Sequence, residues 1–103
     1  RNGEVVPKDY VEAVKWWRKA AEQGYAAAQS FLGLMYNNGE GVRKDDVAAY
    51  AWFSVAAASG DDDARMGRDV VKGGLTPSQV EKGEAMAREI FERIEKRKAA
   101  EGE

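Results

Sequence analysis

One stretch of this chain occurs twice, and that repetition limits what the chain can fold into. Asp9–Gly24 reads DYVEAVKWWRKAAEQG, and Asp45–Gly60, 36 residues on, reads DDVAAYAWFSVAAASG. Residues 2–29 align with residues 38–65 without a gap. Thirteen of the 28 positions are identical, among them Asn2/Asn38, Gly3/Gly39, Asp9/Asp45, Trp16/Trp52, Ala20/Ala56, Ala21/Ala57 and Gly24/Gly60. A fixed period between about 20 and 50 residues marks a repeat architecture, in which each unit buries its apolar face only by stacking on its neighbours. Within each copy the apolar residues recur at helical spacing, and a glycine suited to the left-handed position closes the run. The fold class implied is all-α: a solenoid of stacked antiparallel helix pairs.

Along the chain, residues 1–8 read as the tail of a turn, because Asn2-Gly3-Glu4 matches Asn38-Gly39-Glu40, which follows a helix in the second copy. The helix expected before Arg1 is missing, so residues 1–25 read as an incomplete first repeat and the chain as a fragment of a longer array. Asp9–Gln23 is the first expected helix. Asp9 serves as its N-cap with Glu12 three residues on, and Tyr10, Ala13, Val14, Trp17, Ala20 and Ala21 share a face. Ala26–Asn37 is the second, with Ala28, Leu32, Met35 and Tyr36 in line. Gly33 inside it costs about 1 kcal/mol against alanine, which marks a close helix crossing. Gly39 and Gly41 turn the chain, and Val42 plugs the core. Asp45–Ser59, ended by Gly60, completes the one full repeat, residues 26–60.

The pattern then decays. Asp62–Lys72 carries Ala64, Gly67 and Val71 in line, flanked by Met66 and Val70, and Gly73-Gly74 ends it. Arg68, Asp69 and Lys72 stand where Leu32, Gly33 and Tyr36 stood, so residues 61–74 read as a degenerate capping repeat. Thr76-Pro77-Ser78-Gln79 offers an N-cap, a proline at the first helical position and a glutamine three residues after the cap. The last helix is expected from Pro77 to about Ala99, with Val80, Gly83, Ala87, Ile90 and Ile94 on one stripe. Residues 75–103 thus form a C-terminal capping helix whose charged tail frays.

Composition narrows the function. The chain has no cysteine and no histidine, which excludes disulfides, thiolate nucleophiles, histidine bases and zinc sites with nitrogen or sulfur ligands. Basic and acidic residues interleave to a formal net charge of −2, so no one-sided field draws nucleic acid. No apolar run approaches the ~20 residues of a membrane span. Asp61-Asp62-Asp63 lacks the ligand spacing of a hard-cation loop and reads as helix capping. Gly39-x-Gly41 lacks the further residues of a phosphate loop. Trp16-Trp17 beside Arg18 and Lys19 reads as packing between repeats, because Trp52-Phe53 recurs there without basic neighbours. No cofactor, metal site or catalytic group is expected.

Ala28, Leu32-Gly33, Tyr36, Gly39, Gly41-Val42, Asp45, Ala49, Trp52-Phe53, Ala56-Ala57 and Gly60 together resemble the Sel-1-like repeat (SLR) family, relatives of the tetratricopeptide repeat. The first copy matches at Gly3, Val6, Asp9, Ala13, Trp16-Trp17, Ala20-Ala21 and Gly24, but Val5 replaces the second turn glycine. The resemblance implies an SLR/TPR-like superhelix and a non-catalytic protein–protein interaction scaffold. A β-lactam activity linked to some members is not carried over, since those members are cysteine-rich and this chain has no Ser-x-x-Lys. In such arrays the first helix of each pair lines the concave side. Here that face would hold Ala27, Ser30, Leu34, Asn37 and Asn38, with Asp63, Met66 and Val70 one repeat on. The implied partner is a peptide or protein, with no nucleic acid and no membrane insertion, and the resemblance favours a bacterial periplasmic or secreted setting. The alternative is a structural or regulatory C-terminal segment of a larger protein with no ligand of its own. In that case the inner face of Asp9–Gln23 is partly uncovered, and the fragment either self-associates through it as a homo-oligomer or is marginally stable.

Overall fold

The computed structural model describes residues 2–102, and side chains from Asp9 onward. It contains five α-helices: α1 (Asn2–Glu22), α2 (Ala26–Asn38), α3 (Asp46–Ala58), α4 (Asp62–Lys72) and α5 (Pro77–Glu101), with no strand among the described residues. Short turns join them; α1 packs on α2, α2 on α3 and α3 on α4, while α5 passes over α4 to pack on α3. α3 is the hub, because it packs against α2, α4 and α5. Its sequence explains why. Ala48, Ala49, Tyr50, Ala51, Trp52, Phe53, Val55 and Ala56 are all buried, so the helix is apolar on every side that meets a neighbour.

Two clusters fill the interior. One joins Val14 and Ala21 of α1, Leu32 and Met35 of α2, Trp52 and Val55 of α3, and Ile90 and Ile94 of α5. The other joins Tyr50 and Phe53 of α3 with Ala64 and Val71 of α4, and Val80 packs against it. Val42 packs from its loop against the first cluster, as the sequence suggests. Burial pushes the Tyr50 phenol above its usual pKa, and Glu84, 3.4 Å from the hydroxyl that donates to it, adds to the rise.

Turn chemistry sets the ends. Gly24, Gly39, Gly41 and Gly60 all have positive φ, and no other residue type does among the described residues. Asp45 caps α3 by accepting from the Ala48 amide at 3.0 Å, and Asp61 caps α4 by accepting from the Ala64 amide at 2.9 Å. Thr76 and Gln79 form a reciprocal capping box at the start of α5.

Three expectations are corrected. Residues 2–8 are helical and continue into α1. The left-handed turn after α2 needs positive φ at both Gly39 and Gly41, and Val5 stands where Gly41 does; a β-branched residue disfavours that conformation. Asp9 is consequently inside the helix, where there is no free first-turn amide for it to cap. The charged end of α5 stays helical as far as Glu101, although its side chains beyond Ile94 are exposed.

Candidate functional site: a groove between two first-of-pair helices

α2 and α4 flank α3 on the same side and touch each other. Their separation follows from two glycines. A Cβ on Gly33 of α2 would lie 2.9 Å from Phe53 Cδ1, and a Cβ on Gly67 of α4 would lie 2.9 Å from Phe53 Cζ. The Phe53 ring therefore sits against both helix backbones, and its upper edge floors a groove of about 310 Å³. Ser30, Phe31 and Leu34 form one wall of that groove, and Asp63 and Gly67 form the other.

Three of the eight expected site residues, Ser30, Leu34 and Asp63, meet in this groove. Ala27 and Asn38 are exposed on α2, and Met66 and Val70 are exposed on α4 at 65% and 76%, all outside the groove lining. Asn37 is half-buried, and its carbonyl accepts from Lys44 Nζ at 2.6 Å. Asn38 donates to Glu40 at 3.4 Å.

Sequence reasoning missed Phe31, which is 44% exposed on the groove wall. The signal was present: Phe31 lies four residues after Ala27 and three before Leu34, on the same helical stripe. It also missed what orients that ring. Trp17 of α1 stacks on Phe31 with centroids 4.7 Å apart and planes 8° from parallel. Trp17 is in turn half-buried. The wall is thus held from behind by the preceding helix.

Trp16 departs from the expected packing role, since it is 66% exposed. Its repeat counterpart Trp52 is 2% exposed. The difference lies in the neighbours, because α3 has helices around it where the Trp16 side of α1 has none among the described residues.

The groove is mainly apolar, with one hydroxyl and one carboxylate at its edges. That arrangement suits a side chain docking from another molecule. No group of three or more Asp or Glu that could hold a metal occurs among the described residues. Among the described residues no helix is long and apolar enough to cross a membrane.

Stacked helix pairs in which a glycine-rich turn follows each first helix define an α/α repeat protein of the solenoid class. The chain belongs to the Sel1 repeat family: residues 1–25 and 26–61 both match that family. The fold is also similar to the crystal structure of a protective antigen present in uropathogenic Escherichia coli strains, which displays an SLR fold. The TM-score is 0.81 and the identity 38%, over 84% of this chain. The match spans 19% of that protein's length. No curated protein matches the chain.

Proposed function

We propose that the protein is a non-catalytic interaction scaffold that holds a peptide or partner protein in the groove between α2 and α4. The observation that carries this reading is the groove itself. Phe53 floors it, and Phe31 and Leu34, 44% and 40% exposed, wall it with apolar surface that an inserted side chain can cover. Asp63 on the opposite rim favours a ligand with a basic group beside its apolar anchor. A periplasmic or secreted setting belongs to the same proposal, supported by the family and by the similarity to a bacterial antigen.

The test is selection of binding peptides from a displayed library on the intact chain, followed by variants. Phe31→Ala or Leu34→Asp should weaken a selected peptide by at least about tenfold, the size of a hot-spot loss. Charge or alanine changes at Ser30 and Asn37 should have smaller effects. Unchanged affinity in both the Phe31 and Leu34 variants would remove the groove as the site.

A second reading is a structural or regulatory repeat segment of a larger protein. It is favoured by the 19% of the similar antigen's length that this chain spans. It would leave the library without groove-directed binders.

A further inference from the structure

The outward face of α1 shows a pattern that the groove does not use. In α3 the residues Ala48, Ala51, Trp52 and Val55 are buried at 3% exposure or less. Their counterparts 36 residues earlier are Glu12, Lys15, Trp16 and Lys19, which together line a shallow depression of about 180 Å³. The tryptophan is kept and every neighbour has become charged. Trp16 is 66% exposed, and Lys19 Nζ lies 5.3 Å from the centre of its ring.

These four residues are self-complementary under a two-fold axis. Glu12 lies at one end of the patch and Lys19 at the other, with Lys15 and Trp16 between. An antiparallel copy of α1 related by an axis passing between Lys15 and Trp16 sets Glu12 against the partner's Lys19. The same operation sets Lys15 over the partner's Trp16, and each pairing occurs twice. Opposite charges thus meet at both ends, and a cation meets an aromatic face at the centre. We propose that this face binds a second copy of the chain as an isologous antiparallel helix pair centred on Trp16.

The alternative within one chain is weaker. Glu12 lies 3.6 Å from Lys15 with both side chains more than half exposed, and Lys19 sits over a Trp16 ring that is itself exposed, so both pairs exchange partners at little cost. The patch is small. Four side chains a side fall short of the ~1,200 Å² total of a standard interface, so the dimer is a weak, concentration-dependent one.

Sedimentation equilibrium on the whole chain from about 10 μM to about 1 mM, the range of weak interfaces, reads it directly. The wild type should pass from monomer to dimer across that range. Glu12→Lys and Lys19→Glu, each alone, set like charges together and should weaken association by about tenfold or more. The double change E12K/K19E restores opposite charges across the axis and should recover association. All four positions are solvent-exposed, and thermal melts should show the variants folded. A wild type that stays monomeric throughout, or a double variant no better than the singles, overturns the proposal and leaves the face to another occupant. Phe31→Ala should leave dimerisation unchanged, which separates failure here from failure of the groove.

Discussion

Phe53 fixes the spacing of the helices on either side of it, because two of its faces meet backbone with no side chain between. At such a contact a single added carbon has nowhere to go. Gly67→Ala should therefore lower stability even though alanine is the better helix former by about 1 kcal/mol. Overpacking of this kind costs about 1–3 kcal/mol, so after the propensity gain the net loss should be up to about 2 kcal/mol, measured as a lower melting midpoint with the helical content retained. A variant as stable as the wild type would show that the ring can move aside. Gly83 presents the same situation to Tyr50, since a Cβ there would lie 2.5 Å from Tyr50 Cδ2. The expected crossing at Gly33 was readable in the sequence because a glycine inside an apolar helix needs a packing reason. The identity of what crosses it was not, since Phe53 lies 20 residues away in another helix.

At the scale of an element, helix ends follow local chemistry closely and helix faces do not. α5 begins with a proline after a threonine cap, and both halves of its capping box are made. Thr76→Ala should cost about 1 kcal/mol, visible in a chemical denaturation midpoint with an unchanged slope. No loss would mean that Pro77 alone sets the helix start. The caps of α3 and α4 were equally legible, because an Asp just before a run of helical spacing is a preferred N-cap. The start of α1 was not. Asn2-Gly3-Glu4 carries the same letters as Asn38-Gly39-Glu40, but the turn depends on a second glycine two residues further on, and Val5 withholds it. The groove was legible in outline only. Ser30, Leu34 and Asp63 follow from the family resemblance, whereas the place of Phe31 on the wall depends on Trp17, which stacks on it from another helix. The fate of Trp16 was out of reach for a similar reason. Its letter and register match Trp52, and burial depends on the neighbouring helices.

Across the whole molecule, α5 closes what the repeats leave open. It covers α3 with Ile90 and Ile94, and it reaches the first turn of the array as well. Arg93 makes a bidentate pair with Glu22 of α1, at 2.9 and 2.6 Å, and Ile94 and Lys98 lie against Gly24. A chain ending at Gly74 exposes the side of α3 that α5 covers. It should be unfolded, or melt at least about 10 °C lower with a broader transition by circular dichroism. A truncated chain with an unchanged midpoint would make α5 an appendage.

The Arg93–Glu22 clasp joins residues 71 apart in the chain. A simple solenoid assembles from contacts between neighbours, so it can start at any repeat and zip outward in either direction. Here one set of contacts waits on the last helix, because α5 reaches the end of α1 through Arg93–Glu22 and through Ile94 and Lys98 at Gly24. Such a closure raises the average sequence separation of contacts and slows folding. It also ties the two ends into one event, so the chain should gain and lose its structure as a single body, without an order of repeats.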